Sequence, residues 1–116
     1  MYTAAAGIHP EKTLPIVLDY GTNNEQNLKD PLYLGLRQKR VSVNEAREFM
    51  DEFMEAVTDV YPDMVVQFED FETEKAFAYL ERYKHKKVFN DDIQGTGAVI
   101  LAGYALPFPP RRSITC

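Results

Sequence analysis

The sequence is poor in the residues that build disulfide, zinc and membrane proteins. It has one cysteine, Cys116, and two histidines, so no intramolecular disulfide, CxxC pair or Cys/His zinc set can form. This cysteine usage favours a reducing compartment. No apolar run approaches the length of a transmembrane helix. The formal net charge of -5 argues against a general nucleic-acid binder, so we expect neither nucleic acid nor membrane as a partner.

The 116 residues that are present suffice for one domain with a modest core. Two short apolar runs, Leu14–Asp19 and Val65–Phe68, are typical of buried strands. A third segment, Lys87–Asn90, has the pattern of a short strand that is edge-like or parallel. Helical patterns separate them along the chain. This alternation predicts an α/β fold with a small, mostly parallel sheet flanked by helices.

Three of the predicted helices have clear local signals. Ser42 and Glu45 have the spacing of a capping box and open an amphipathic helix that Pro62 ends. Its apolar stripe predicts a buried face formed by Ala46, Phe49, Met50, Phe53, Met54, Val57, and Val60 or Tyr61. Thr73 is predicted to cap a second helix, with Ala76, Phe77, Leu80 and Tyr83 pointing inward. The third helix, residues 96–106, is apolar on most sides and is predicted to be buried.

Two pairs of acids follow two of the predicted strands. Glu69 and Asp70 end the strand at Val65–Phe68, and Asp91 and Asp92 end the strand at Lys87–Asn90. The carboxyl ends of parallel strands meet at one sheet edge, where ligands bind in open α/β sheets. Carboxylate oxygens are the ligands that hard cations prefer. The pattern therefore indicates a cation site, although helix caps or solvated turn residues would have the same sequence.

Two further features of the strand ends bear on function. Asp19 closes the first apolar run and would be a third acid at a strand end, followed by a polar loop. Gly95, Thr96 and Gly97 would let a helix N-terminus approach a phosphate. They do not form a complete GxGxxG fingerprint and they follow two acids, so a cation is favoured over a phosphate.

Six blocks of the sequence, in their order and spacing, resemble malic enzymes, the divalent-cation- and NAD(P)-dependent oxidative decarboxylases of L-malate. The resemblance covers about residues 2–106. Its blocks are Tyr2–Ile8, Leu14–Asn24, Asp30–Leu36, Asp51–Met54, Gln67–Phe71 and Phe89–Thr96. It implies that residues 1–89 are part of a substrate- and metal-binding domain and that 90–106 begin a truncated Rossmann-like NAD(P)-binding domain. Residues 107–116 form a divergent proline-rich tail.

The resemblance also assigns roles to the acids. It implies that Glu69, Asp70 and Asp92 bind Mg²⁺ or Mn²⁺, and that Asp92 approaches the NAD or NADP cofactor. It implies a supporting catalytic role for Asp91, beside the metal ligands. The substrate would be L-malate, with pyruvate as product, and members of the family are homo-oligomers.

Several functional residues of the family have no counterpart in these 116 residues. They are the catalytic lysine and tyrosine, the substrate-binding arginine, and the glycine motif that binds the dinucleotide. We therefore expect no turnover by this polypeptide alone. The alternative is a non-catalytic remnant that binds metal or associates with a full-length subunit. NAD or NADP preference and a mitochondrial or cytoplasmic location both stay open.

Overall fold

The computed structural model describes residues 2–105, which divide into two compact units between Glu55 and Ala56. The proline-rich tail predicted at 107–116 lies outside the described residues. The first unit contains helix α1 (Tyr2–Ala6), a 3₁₀ helix (Pro10–Lys12), helix α2 (Glu25–Lys29) and most of helix α3 (Val43–Val60). The second unit holds the end of α3 and the sheet.

The capping box at the start of α3 is confirmed. The backbone N–H of Ser42 donates to Glu45 Oε2 at 2.8 Å, and the backbone N–H of Glu45 donates to Ser42 Oγ at 3.3 Å. These bonds hold the pKa of Glu45 below its ordinary value. They satisfy donors that a helix N-terminus would otherwise leave unpaired. The predicted end is also confirmed, since α3 stops at Val60, two residues before Pro62.

The apolar stripe of α3 is buried only in part. Met50, Met54 and Val57 are buried, as predicted. Phe49, Val60 and Tyr61 are exposed, so their predicted inward position is wrong. In the first unit the Phe49 ring packs edge-on against Tyr20, with the ring centroids 5.7 Å apart. Helical spacing identified the face correctly, but the buried strip is narrower than the apolar one.

The predicted strand at Leu14–Asp19 is wrong. This segment has no regular secondary structure, and its Val17 is 90% exposed. A strand needs a neighbour for its ladder of hydrogen bonds, and Pro15 removes one donor. Backbone pairing starts only afterwards, where the N–H of Val41 donates to the Tyr20 carbonyl and that of Thr22 to the Gln38 carbonyl. The apolar composition alone did not require a sheet position.

The second unit has the predicted parallel arrangement. Strand β1 (Val66–Phe68) leads through helix α4 (Thr73–Arg82) to strand β2 (Val88–Asn90), and the two strands pair in parallel. A π-helical turn (Asp91–Gly95) then leads into helix α5 (Thr96–Ala105). This parallel strand–helix–strand arrangement confirms the α/β class. The described residues form a sheet of two strands, where three were predicted.

An aromatic cluster packs α4 against β1. The buried Phe68 ring has its centroid 5.9 Å from those of Phe71 and Tyr79, and 6.1 Å from that of Tyr83. Ala76 and Tyr83 are buried as predicted, but Phe77 is exposed. Burial of such rings is the main favourable term that holds a small βαβ unit together.

Two predictions about helix ends and burial are corrected in this unit. Glu72, rather than Thr73, occupies the N-cap position of α4, and its side chain makes no capping bond. Helix α5 is exposed, with Val99, Ile100, Leu101 and Tyr104 all on the surface of the described chain. An all-round apolar helix is expected to be covered by other layers, and a two-stranded sheet supplies too little surface for that. No helix among residues 2–105 combines the length and apolarity needed to cross a membrane.

Candidate metal centre

The two pairs of acids lie at the same edge of the sheet. Phe68 of β1 stands opposite Asn90 of β2 in the parallel register. The residues that follow directly are Glu69 on one strand and Asp91 on the other. The prediction that these acids follow neighbouring strands in the same direction is therefore confirmed, and the pairing that produces it lies entirely within the second unit.

The first pair has an unusual backbone. Asp70 has a φ of 59°. Among the described residues, the other positive φ values belong to glycines. Such a conformation costs free energy for an L-residue, and aspartate is among the few that tolerate it. Glu69 is oriented by its neighbour, since Gln67 Nε2 donates to Glu69 Oε2 at 3.0 Å. Strained residues of this kind cluster at functional sites.

The second pair is carried by the π-helical turn. Asn90 precedes the turn and is fully buried. Its Oδ1 accepts the Ile93 N–H at 2.9 Å, and its own N–H donates to Gln94 Oε1 at 3.0 Å. Asp91 and Asp92 lie within the loop that these two bonds close. Single π turns are rare and are frequent at functional sites.

Gly95 leaves room for the Asp91 side chain. A Cβ atom at Gly95 would overlap Asp91 Oδ1 and press on its Cγ, so a larger residue there would move the carboxylate. Asp91 is half-buried, whereas Asp92, Glu69 and Asp70 are exposed. The turn thus presents one acid toward the protein and the next toward solvent.

The arrangement suits a hard divalent cation in donor type and location. All four side chains offer carboxylate oxygens at the carboxyl ends of parallel strands. The described residues are nevertheless not gathered into a closed ligand set, because residues 2–105 contain no group of three or more His, Cys, Asp or Glu side chains close enough to hold an ion. The two acid pairs therefore lie at one edge of the sheet without being gathered around a common point.

Asp19, the third predicted strand-end acid, is used differently. Its Oδ1 accepts the Gly21 N–H and its Oδ2 accepts the Leu36 N–H, both at 2.8 Å. The Leu36 and Gly21 bonds, followed by the nearby Arg40, hold the pKa of Asp19 below its ordinary value of 3.8. Both carboxylate oxygens therefore serve the loop of the first unit.

Sequence reasoning missed the amides that support the acids. Gln67, Asn90 and Gln94 have no roles of their own in the sequence-based prediction. The available signal was position, because each amide lies within two residues of an acid at a strand end. Asn90 and Gln94 accept from nearby backbone N–H groups, and Gln67 donates to the Glu69 carboxylate.

Comparison with known proteins agrees with the resemblance. The family described as malic enzyme, N-terminal domain, matches residues 1–84. The chain is 58% identical over 104 residues to the mitochondrial NAD-dependent malic enzyme 59 kDa isoform of Solanum tuberosum. It is 52% identical over 105 residues to the NADP-dependent malic enzyme of Homo sapiens. Each alignment covers 89% of this chain.

The same similarity extends to a bacterial protein. The NAD-dependent malic enzyme of Aliivibrio salmonicida is 56% identical over 100 residues, which cover 85% of this chain. The aligned segments make up 17–18% of the length of these three relatives, so the chain spans less than a fifth of each. A family match over residues 1–84 nevertheless includes most of the chain. The chain therefore belongs to the malic enzyme family.

Proposed function

We propose that the chain supplies the cation-binding acids of an enzyme that oxidatively decarboxylates L-malate to pyruvate and CO₂. The oxidant would be NAD⁺ or NADP⁺, the cofactors that the relatives' names specify for those proteins. The observation that carries the proposal is the Phe68–Asn90 register, which puts both acid pairs at one sheet edge. Family membership supports the reaction class.

In this proposal Glu69, Asp70 and Asp92 would hold Mg²⁺ or Mn²⁺. Three oxygen ligands leave coordination positions open for substrate oxygens. When bound, such an ion supplies Lewis-acid stabilisation of negative charge that develops on a substrate oxygen. The strained backbone at Asp70 and the Gln67–Glu69 bond orient the first two ligands.

The acids of the π-helical turn would have two different tasks. Asp92 is exposed and would bind the cation and approach the nicotinamide cofactor. Asp91 is half-buried beside Gly95 and would support the group that exchanges a proton with the substrate hydroxyl. We further propose that residues 1–89 belong to the substrate- and metal-binding domain, and that 90–106 begin a Rossmann-like cofactor domain.

The 116 residues by themselves are expected to show no turnover. Catalysis needs a complete, preorganised site, and these residues include no counterpart of the family's base lysine or dinucleotide glycine motif. Malate-dependent reduction of NAD⁺ or NADP⁺ by the purified chain, above a buffer control, would overturn this expectation.

A second candidate function is association with another malic enzyme subunit without catalysis. The observation that favours it is the exposed apolar surface of α5, where Tyr104 is 86% exposed and Val99 is 73% exposed. Surfaces of this kind promote association. Sedimentation of the chain over a dilution series tests this candidate. A monomer at every concentration, with unchanged sedimentation when a full-length malic enzyme is added, would exclude it.

The cation proposal is tested by titrating the chain with Mn²⁺ and following free Mn²⁺ by electron paramagnetic resonance. We expect one weak site, and we expect Glu69→Gln and Asp92→Asn each to raise its Kd by at least about tenfold. Glu48→Gln and Asp59→Asn make the same charge changes at exposed positions of α3 and serve as controls. Equal losses in all four variants would indicate general charge attraction and contradict the proposal.

A further inference from the structure

Asn90 is the fully buried polar residue beside the candidate metal centre. Its Nδ2 has no hydrogen-bond partner among the residues described. Burying an amide with an unused donor costs stability. Its side-chain Oδ1 accepts the Ile93 N–H, a bond that an apolar residue could not make, and its backbone N–H bonds to the same π-helical turn.

The two bonds form a clasp, which we define as Asn90 N–H to Gln94 Oε1 and Ile93 N–H to Asn90 Oδ1. The bonds join Asn90, at the end of β2, to the third and fourth residues of the turn. Asp91 and Asp92 lie between the joined points, so the clasp restricts the backbone that carries them. Because Asn90 is itself in register with Phe68 of β1, the clasp ties the turn to the sheet.

We propose that Asn90 and Gln94 are positioning residues for Asp92, and that the Gln94 side-chain oxygen raises the affinity of this weak cation site without being a ligand itself. This inference rests on the proposed cation-binding function. The physical reason is preorganisation, since groups that orient metal ligands commonly change metal affinity by roughly 10- to 100-fold when removed. Without these two bonds the turn would be less ordered before a cation binds. The free energy spent on ordering it would lower the affinity.

Gln94 allows the test to be made without disturbing a buried residue, because its side chain is exposed. Gln94→Met keeps the length of the side chain and removes the acceptor. Gln94→Glu restores an acceptor oxygen at the same position. Gln38→Met makes the same change at an exposed glutamine of the first unit and is the matched control.

Two measurements distinguish the clasp itself from its effect on cation binding. Amide hydrogen exchange at Asn90 reports the bond itself, and we expect it to accelerate roughly 2- to 10-fold in Gln94→Met. The Mn²⁺ Kd reports positioning, and we expect it to rise roughly tenfold in Gln94→Met. Gln94→Glu should restore both values or bind more tightly, and Gln38→Met should match the wild-type chain.

Three results would overturn the inference. The first is faster Asn90 exchange in Gln94→Met with wild-type Mn²⁺ affinity, which would make the clasp purely structural. The second is unchanged exchange, which would mean that the clasp does not form. The third is equal loss of affinity in Gln94→Met and Gln94→Glu. A wild-type chain that binds no Mn²⁺ would instead contradict the proposed function, so the two failures are distinguishable.

Discussion

Asp19 and Asp92 both lie at the end of a segment predicted to be a strand, yet the structure uses them in opposite ways. Asp19 accepts two backbone N–H bonds, from Gly21 and Leu36, and so joins two segments of an irregular loop. Asp92 sits in a turn that is held by its neighbours Asn90 and Gln94. No hydrogen bond reaches the Asp92 carboxylate from within residues 2–105. Asp19 therefore stabilises the loop around it, whereas the backbone at Asp92 is held in place by bonds that other residues make.

This difference shows what makes an acid available for a ligand. A carboxylate whose oxygens accept backbone donors is stabilised in its charged form and is held against the loop that supplies those donors. A carboxylate whose position is fixed by other side chains keeps its oxygens for binding. The distinction depends on the neighbours of each acid and not on the predicted strand before it.

The largest contrast should be in core packing. Phe68 is 3% exposed at the centre of the aromatic cluster, whereas Val17 is 90% exposed in the other apolar run. We expect Phe68→Ala to lower the free energy of unfolding by about 3–5 kcal/mol. Val17→Ala should change it by no more than about 0.5 kcal/mol. Urea unfolding followed by circular dichroism measures both, and comparable losses would mean that Leu14–Asp19 is packed after all.

The next contrast is in pH dependence. The folded pKa of Asp19 lies below 3.8, so its stabilising contribution is complete above that value and is lost as the pH falls through the folded pKa. Stability should therefore fall between about pH 5 and about pH 2, and Asp19→Asn should make this fall smaller. Urea midpoints across this range measure the effect. The pKa of Glu45 is also held low, by its hydrogen bonds with Ser42, and that of Asp63 by its hydrogen bond from Lys87, so both groups add to the same slope.

The smallest contrast is in backbone strain. Glycine adopts positive φ without steric cost, so Asp70→Gly should raise the free energy of unfolding by about 0.5–1 kcal/mol while it weakens Mn²⁺ binding. Asp19→Gly should lower stability, because it deletes an acceptor of two bonds. A loss of stability in Asp70→Gly would show that its carboxylate supports the fold.

The sequence predicted the second unit better than the first. Local patterns predict its two strands, the α4 crossover and the parallel pairing. A strand, a helix and a second strand within 25 residues can pair and pack with one another without a distant segment. Leu14–Asp19 needed a distant partner strand for its predicted role, and pattern alone cannot supply one. Helix α5 was predicted to be buried because it is apolar on most sides. Composition indicates that such a helix should pack against other elements, but it does not identify those elements.

For the candidate site, the acids could be predicted and their support could not. Charge at a strand end is visible in a sequence, as Glu69 and Asp92 show. The clasp depends on which backbone donor each amide faces, and that depends on the π-helical turn, which has no clear sequence signature. The positive φ of Asp70 could not be predicted either, because it depends on the path of the backbone after β1.

The central claim is that the acids of both strand ends form one cation-binding edge. The most direct measurement is Mn²⁺-induced broadening of backbone amide signals by nuclear magnetic resonance, at substoichiometric Mn²⁺. The account predicts that the Glu69, Asp70 and Asp92 signals are lost together at the same low fraction of Mn²⁺. Broadening at only one of the two strand ends would contradict it.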